Sequence, residues 1–301
     1  MKTSSATRVT ETTFEGVPAV EISTAKAKMV IPTAFGPRIA SFGRPRGRNL
    51  LFWDPKGIHR IGDFTIRGGH RIWMTRPMAD ETEETYAPDD APVEVRSRGT
   101  VVQVIGPEDP VRKLRRSLSI RALDDETFSV VSRIENRGQM LWSGGVWGIT
   151  CTKPARGTRY GIPLGDGSGW DMFRIGLARR WADHKVRLAD PQFTICEGAM
   201  VLDPQGRESK RFVEAPQGVI GMTDPGERLS FIKKVEFTPG ASYPMSCNIA
   251  VFVAKKNLLV EMETMGAEKG LRPGESVESE EIWALRPPID WTRVTPEKPV
   301  L

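Results

Sequence analysis

Three cysteines and three histidines among 301 residues leave little material for a thiolate metal centre or a disulfide framework. Cys151, Cys196 and Cys247 are odd in number, far apart and without a CxxC pair, the pattern of free, partly buried thiols in a reducing compartment. His59 and His184 have no partner at a metal-ligand spacing and read as surface or packing residues. Neither a metal nor a cofactor is expected. Long apolar runs are missing as well: nothing approaches the roughly 20 residues of a membrane-crossing helix, and the opening MKTSSATRVTETTFEG lacks the apolar core of a secretory signal. The expectation is a cytoplasmic protein with no membrane partner.

Excess charge of one sign is also lacking, with 43 basic against 38 acidic residues and a net charge of +5. The densest basic run, VRKLRRSLSIR at 111–121, alternates as a strand with one solvated charged face, so no nucleic-acid partner is expected. Helical periodicity is scarce. Its best candidate, WDMFRIGLARRWADHKV at 170–186, contains a glycine and keeps the period only in part. LWSGGVWGIT holds no GxSxG nucleophile elbow, and LGDGSGWD lacks the Lys-Ser/Thr of a phosphate loop and reads as a turn. The acidic DETEET at 80–85 has the wrong ligand spacing for a calcium loop.

What the chain has in quantity is strand signal. PAVEIST and AKMVIPT can pair through a turn at Ser23–Lys26, and RSLSIRAL places Leu118, Ile120 and Ala122 on one face. FSVVSRIENRG follows across the polar turn DDET, as in a hairpin. RLSFIKKVEFTPG sets Leu229, Phe231, Val235 and Phe237 on one side, and CNIAVFVAKK is apolar throughout, as befits a strand covered on both faces. The 29 glycines and 23 prolines punctuate these runs at short intervals. The pattern predicts an all-β, antiparallel sandwich or barrel, with residues 1–301 as a single domain.

Two stretches carry candidate chemistry. DFTIRGGHRIWMTRP, residues 63–77, has a Gly68-Gly69 bend followed by a strand-like run. On such a strand His70, Ile72 and Met74 share one face, with Arg71 and Trp73 on the other, so His70 and Arg71 enter one cavity only if the bend re-aims one of them. His70 is either a buried packing residue or a titrating group near neutral pH. In NLLVEMETMGAEKGLRPGES, Leu258, Val260 and Met262 face one way and Leu259, Glu261 and Glu263 the other. Two carboxylates one pleat apart can act as a base and its tuning neighbour, or simply form a solvated strand face.

These pieces, in this order, resemble the galactose mutarotase-like (aldose 1-epimerase-like) superfamily. PTAFGPRIASFGRPRGRNLLFW is similar to its opening strands. IRGGHRIWMTRP is similar to the Arg-Gly-Gly segment of hexose-phosphate epimerases, and closer to the Gly-Gly-His-Arg-Phe/Ile-Trp segment of another branch. EMETMGAEKGLRPGES followed by EEIWAL is similar to the C-terminal segment, where an ETQ-like strand precedes a Leu-x-Pro-Gly-Glu turn. The likeness spans roughly residues 15 to 286 and is thin in the middle third. It implies an antiparallel β-supersandwich with a sugar cleft on one face. Matched motif by motif, it implies Glu263 as the base for the anomeric hydroxyl and His70 as the acid for the ring oxygen, with Glu261 beside them. Arg67 and Arg71 resemble sugar- or phosphate-contacting arginines, and Trp73, Trp142 and Trp147 can stack on a sugar ring. One element is missing: WSGGVWGITCTKP has no counterpart to the second, His-x-x-Phe histidine of mutarotases. The expected partner is a small-molecule carbohydrate or oligosaccharide. The function implied is epimerase-like acid–base chemistry, the alternatives being a non-catalytic sugar-binding protein or a lyase or hydrolase working in the same cleft.

Overall fold

The computed structural model describes residues 7–301 apart from 62–63, 76–88, 178, 182–183, 186 and 299; the acidic stretch at 80–85 therefore lies outside the described residues. The predicted hairpins form in register. Val17–Ser23 pairs with Lys28–Pro32, and Leu114–Ala122 pairs with Thr127–Asn136, antiparallel in both cases. All three cysteines are free. Among the described residues no helix is long and apolar enough to cross a membrane.

Two large antiparallel sheets dominate. One has ten strands: its middle is Leu229–Val235, Ser276–Arg286, Thr127–Asn136 and Leu114–Ala122, and its edges are Phe193–Ile195 and Glu94–Arg98. The other has seven, in the spatial order Arg174–Gly176, Ser209–Glu214, Ile249–Val253, Val260–Met265, Val146–Thr152, Gly69–Met74 and Arg38–Ile39. A four-stranded sheet from the first 43 residues completes the layers. A single cluster of buried side chains runs from Ile22 to Leu285 and draws on both large sheets, so the inner faces of the two pack against each other. Its centre is a set of rings: Phe42, Phe128, Phe231 and Trp283 approach at 4.9 to 5.8 Å between centroids, tilted or edge-on, as ring quadrupoles favour.

Two local expectations are corrected. Among its described residues the stretch 170–186 is not helical; it carries the short strands Arg174–Gly176, Arg180–Trp181 and His184–Lys185, the last two paired as a small ribbon. Within it Trp170 is almost wholly exposed and Met172 largely so, while Ile175 packs on the central cluster. Nor is the charged face of 111–121 all solvated. Arg116 shares the inner face with Leu114 and Leu118 and donates to the Ile72 carbonyl at 3.3 Å. Burial lowers its pKa, against the opposing pull of Asp89 and Asp109.

Candidate active site on the outer face of the seven-stranded sheet

Pleat and register decide what each face of this sheet presents. Gly68 and Gly69 have φ of +74° and +67°, and a Cβ on either would run into the carbonyl oxygen of Phe52 or Ile39. The bend is thus a close backbone crossing that only glycine permits. Beyond it, Arg71 stands opposite Ile149, which stands opposite Glu263. One row along, Cys151, Glu261, Phe252 and Lys210 follow each other across four strands, and Trp73 faces Trp147. Directly paired residues point the same way, so all of these project from the outer face, away from the core between the sheets.

There they border a cavity of about 220 Å³, walled by Phe64, Trp73, Phe252 and Leu259 and by the polar groups Arg71, Glu261, Lys210, His184 and Glu208. Arg71 lies 3.3 Å from Glu261 and 4.6 Å above the Trp73 ring. Burial works against its charge, but the neighbouring carboxylates, Glu261 first and then Asp89, favour it, and its pKa lies above the ordinary value. The Cys151 thiol, pushed up to about 12 chiefly by burial and then by Glu261, stays protonated and donates to Glu261 at 3.4 Å. Lys210 sits 3.2 Å from Glu263 and 4.9 Å over the Trp147 ring, and the Trp147 indole donates to the same carboxylate at 2.9 Å. From the other side His184 places Nδ1 3.2 Å from Glu208, whose second oxygen is 3.7 Å from Lys255.

The expected pairing of His70 with Glu263 is not met, because the two project from opposite faces of one sheet. His70 pairs with Thr150, Glu263 with Ile149, and successive residues on a strand point to opposite sides. The His70 imidazole is fully buried between the sheets, 2.9 Å from the Thr150 hydroxyl and edge-on to Trp283 at 5.1 Å. Around it Lys233 reaches Glu281 at 3.1 Å and donates to Thr150 at 2.7 Å, Trp283 donates to Glu281 at 2.6 Å, and Thr264 donates to it as well. Gly148 makes the space; a Cβ there would strike Glu281 and crowd His70. Burial, reinforced by Lys233 and opposed by Glu281, takes the His70 pKa down to about 3. At neutral pH it is uncharged, and its 3.9 Å approach to Glu281 is no ion pair.

Glu263 does reach the outer face but is fully buried there, held by Lys210 and Trp147 behind the cavity wall, whereas Glu261 lines the cavity. Neither carboxylate forms a solvated strand face. Arg67 is elsewhere: it binds Asp90 at 2.6 Å and the Pro55 carbonyl at 2.7 Å, and lies 3.6 Å over Phe35. Trp142 belongs to a small ribbon with Leu271 and packs on the central cluster. Sequence reasoning did not single out Lys210 or Glu208, and read His184 as a surface or packing residue. Lys210 and Glu208 lie in the run ESKRFVE, which carries no motif of its own. Among the described residues no group of three or more His, Cys, Asp or Glu side chains is placed to hold a metal ion.

No family model matches the chain, nor does any curated protein. Solved structures do match. A proposed aldose 1-epimerase from Escherichia coli K12 superimposes with a TM-score of 0.62 at 14% identity, covering 93% of this chain and 99% of its own. A galactose mutarotase-like protein from Clostridium acetobutylicum gives 0.59 at 11% identity, covering 94% and 99%. One from Lactobacillus casei gives 0.56 at 12% identity, covering 89% and 100%. The chain therefore has the galactose mutarotase-like, all-β antiparallel fold.

Proposed function

We propose that this protein acts on a carbohydrate in the outer-face cavity by epimerase-type acid–base chemistry, with Glu261 as the base. The observation that carries the reading is the meeting, in one cavity, of the Glu261 carboxylate with the cations Arg71 and Lys210 and the rings of Trp73, Phe64 and Phe252. Aromatic faces pack on the C–H side of a sugar, while guanidinium and ammonium groups donate to its hydroxyl oxygens. Glu261 takes the anomeric hydroxyl proton as the C1–O5 bond breaks, the open chain turns about C1–C2, and the ring recloses on the other face. Glu263 stands behind this base and fixes Lys210. Ring opening also needs a proton donor for O5 on the same cavity, and His70 cannot supply it from the far face of the sheet.

One-dimensional exchange NMR with aldoses and sugar phosphates, and binding measured alongside, tests the reading. Anomer interconversion that is lost in Glu261→Gln is the expected result. Binding without interconversion would make the protein a sugar-binding one, and failure of every sugar to bind would remove the reading altogether.

A further inference from the structure

The cavity is small, its charges are matched, and part of its wall is purely aliphatic. At about 220 Å³ it falls below the roughly 300–1,000 Å³ of drug-sized pockets and suits one sugar ring, not a chain of them. Ala254, Leu258 and Leu259 reach it from the turn between Ile249–Val253 and Val260–Met265, where the Ala254 N–H donates to the Leu259 carbonyl at 3.0 Å. Ile66 reaches it from just beyond the short strand Phe64–Thr65. These four side chains pack in one cluster with Phe252 and Trp73, and none of the four can donate or accept a hydrogen bond. Leu259 and Glu261 both line the cavity two residues apart, about 7 Å along an extended chain. In the other direction Glu263 is buried behind the wall, held by Lys210 and Trp147. A ring reacting at Glu261 therefore has Leu259 as its neighbour along the strand. The cations are already paired: Arg71 lies 3.3 Å from Glu261, Lys210 3.2 Å from Glu263 and Lys255 3.7 Å from Glu208. An anionic group on the ligand would meet three carboxylates with three cations and no excess of positive charge.

We infer that the cavity selects a neutral 6-deoxy aldose, whose C6 methyl group seats against Leu258, Leu259 and Ile66; the inference rests on the epimerase reading above and names its substrate. C6 is the substituent that the reacting end brings with it. It is carried by C5, the other neighbour of O5, so the path O1–C1–O5–C5–C6 spans the pleat between Glu261 and Leu259. In an ordinary hexose C6 carries a hydroxyl, which in an aliphatic corner loses its water partners and finds none in return. A methyl group has no such partners to lose and gains the burial of its own surface. A 6-phosphate is worse than either, because it brings nearly two negative charges to cations that already hold carboxylates. The ring hydroxyls are left to Arg71 and Lys210, and the ring's C–H side to Trp73 and Phe252. Leu258, Leu259 and Ile66 are thus specificity-determining residues that take no part in the proton transfers.

Sugars that differ only at C6 test the inference on the full chain: D-galactose, 6-deoxy-D-galactose and galactose 6-phosphate; D-glucose, 6-deoxy-D-glucose and glucose 6-phosphate; L-mannose and 6-deoxy-L-mannose. Anomer exchange is followed by NMR and binding by calorimetry. In the preferred series the 6-deoxy sugar is expected to have a kcat/KM at least about 10-fold above its parent hexose, with the 6-phosphate lowest, and Leu258→Ser to cut that ratio by about threefold or more. A parent hexose within about threefold of its 6-deoxy partner, a 6-phosphate that is exchanged fastest, or a ratio unchanged in folded Leu258→Ser overturns the inference and leaves Glu261 and the epimerase reading in place. If a 6-deoxy sugar binds at least about 10-fold tighter than its parent but no sugar is exchanged, the selectivity stands and the epimerase chemistry falls. Failure of every sugar to bind or exchange removes both. The wild type alone carries the main comparison, so the outcome does not hang on the folding of a variant.

Discussion

His70 and Arg71 are neighbours in the chain and live in different worlds. One face of their strand looks into the space between the sheets, where His70, Lys233, Glu281, Thr150 and Thr264 form a closed polar cluster. The other looks into a cavity lined by Arg71, Glu261, Lys210, Glu208 and His184. Both clusters pair carboxylates with cations and both include a histidine. They differ in access, and access decides what the same chemistry does. Sealed from water, charges are costly and must be paired, so the inner cluster ties the sheets together. Beside a cavity, the same groups border open space instead of packed side chains.

The comparison can be broken at several points. Lys233→Met should have the largest effect, because it leaves the Glu281 carboxylate buried without its cation; a loss of about 3–5 kcal/mol is expected in urea denaturation. A smaller loss there would mean that water reaches the inner cluster.

Acid should act on the inner cluster next. His70 sits at about 3 in the fold against an ordinary 6.5, so the unfolded chain takes up the proton first and stability falls as pH drops from about 6.5 towards 3. For Glu281 burial works to raise the pKa but is outweighed by Lys233 and His70, giving about 2 against 4.5; stability is lost in the same direction between those values. Urea midpoints followed from pH 7 to 3 should decline, and His70→Gln should flatten the upper part of the decline.

On the outer face the effect moves from stability to activity. Glu261→Gln should cost only ~1–2 kcal/mol, since the amide oxygen still accepts from Arg71, yet abolish sugar interconversion. Unchanged exchange in that variant would remove Glu261 as the base. The smallest effect belongs to Arg67→Lys: Asp90 is more than a third exposed, so a loss of ~1 kcal/mol or less and an unchanged exchange rate are expected.

Much of the fold was legible locally. Leu118 and Ile120 alternate with polar residues, DDET marks a turn, and the paired glycines at 68 and 69 mark a backbone crossing, each through physics that acts over a few residues. The site was legible in part. The pleat alone separates His70 from Arg71, but nothing in the stretch says which of the two faces the core, and resemblance favoured the histidine. The opposite outcome depends on Gly148, Thr150, Lys233 and Glu281, which lie about 80 to 210 positions away and build a polar pocket for that imidazole. His184 was read as a surface or packing residue because it has no partner at a metal-ligand spacing; only tertiary structure sets it beside Glu208 on the cavity.

By itself, then, the sequence determined the strands, their turns, the Gly-Gly crossing and which residues of each strand share a face, because these follow from steric limits and a two-residue period. Which face turns inward, that Glu261 rather than Glu263 meets the cavity, and that His184 meets Glu208 there were decided by tertiary structure. Those outcomes depend on the register of strands far apart in the chain and on burial, which no local pattern encodes.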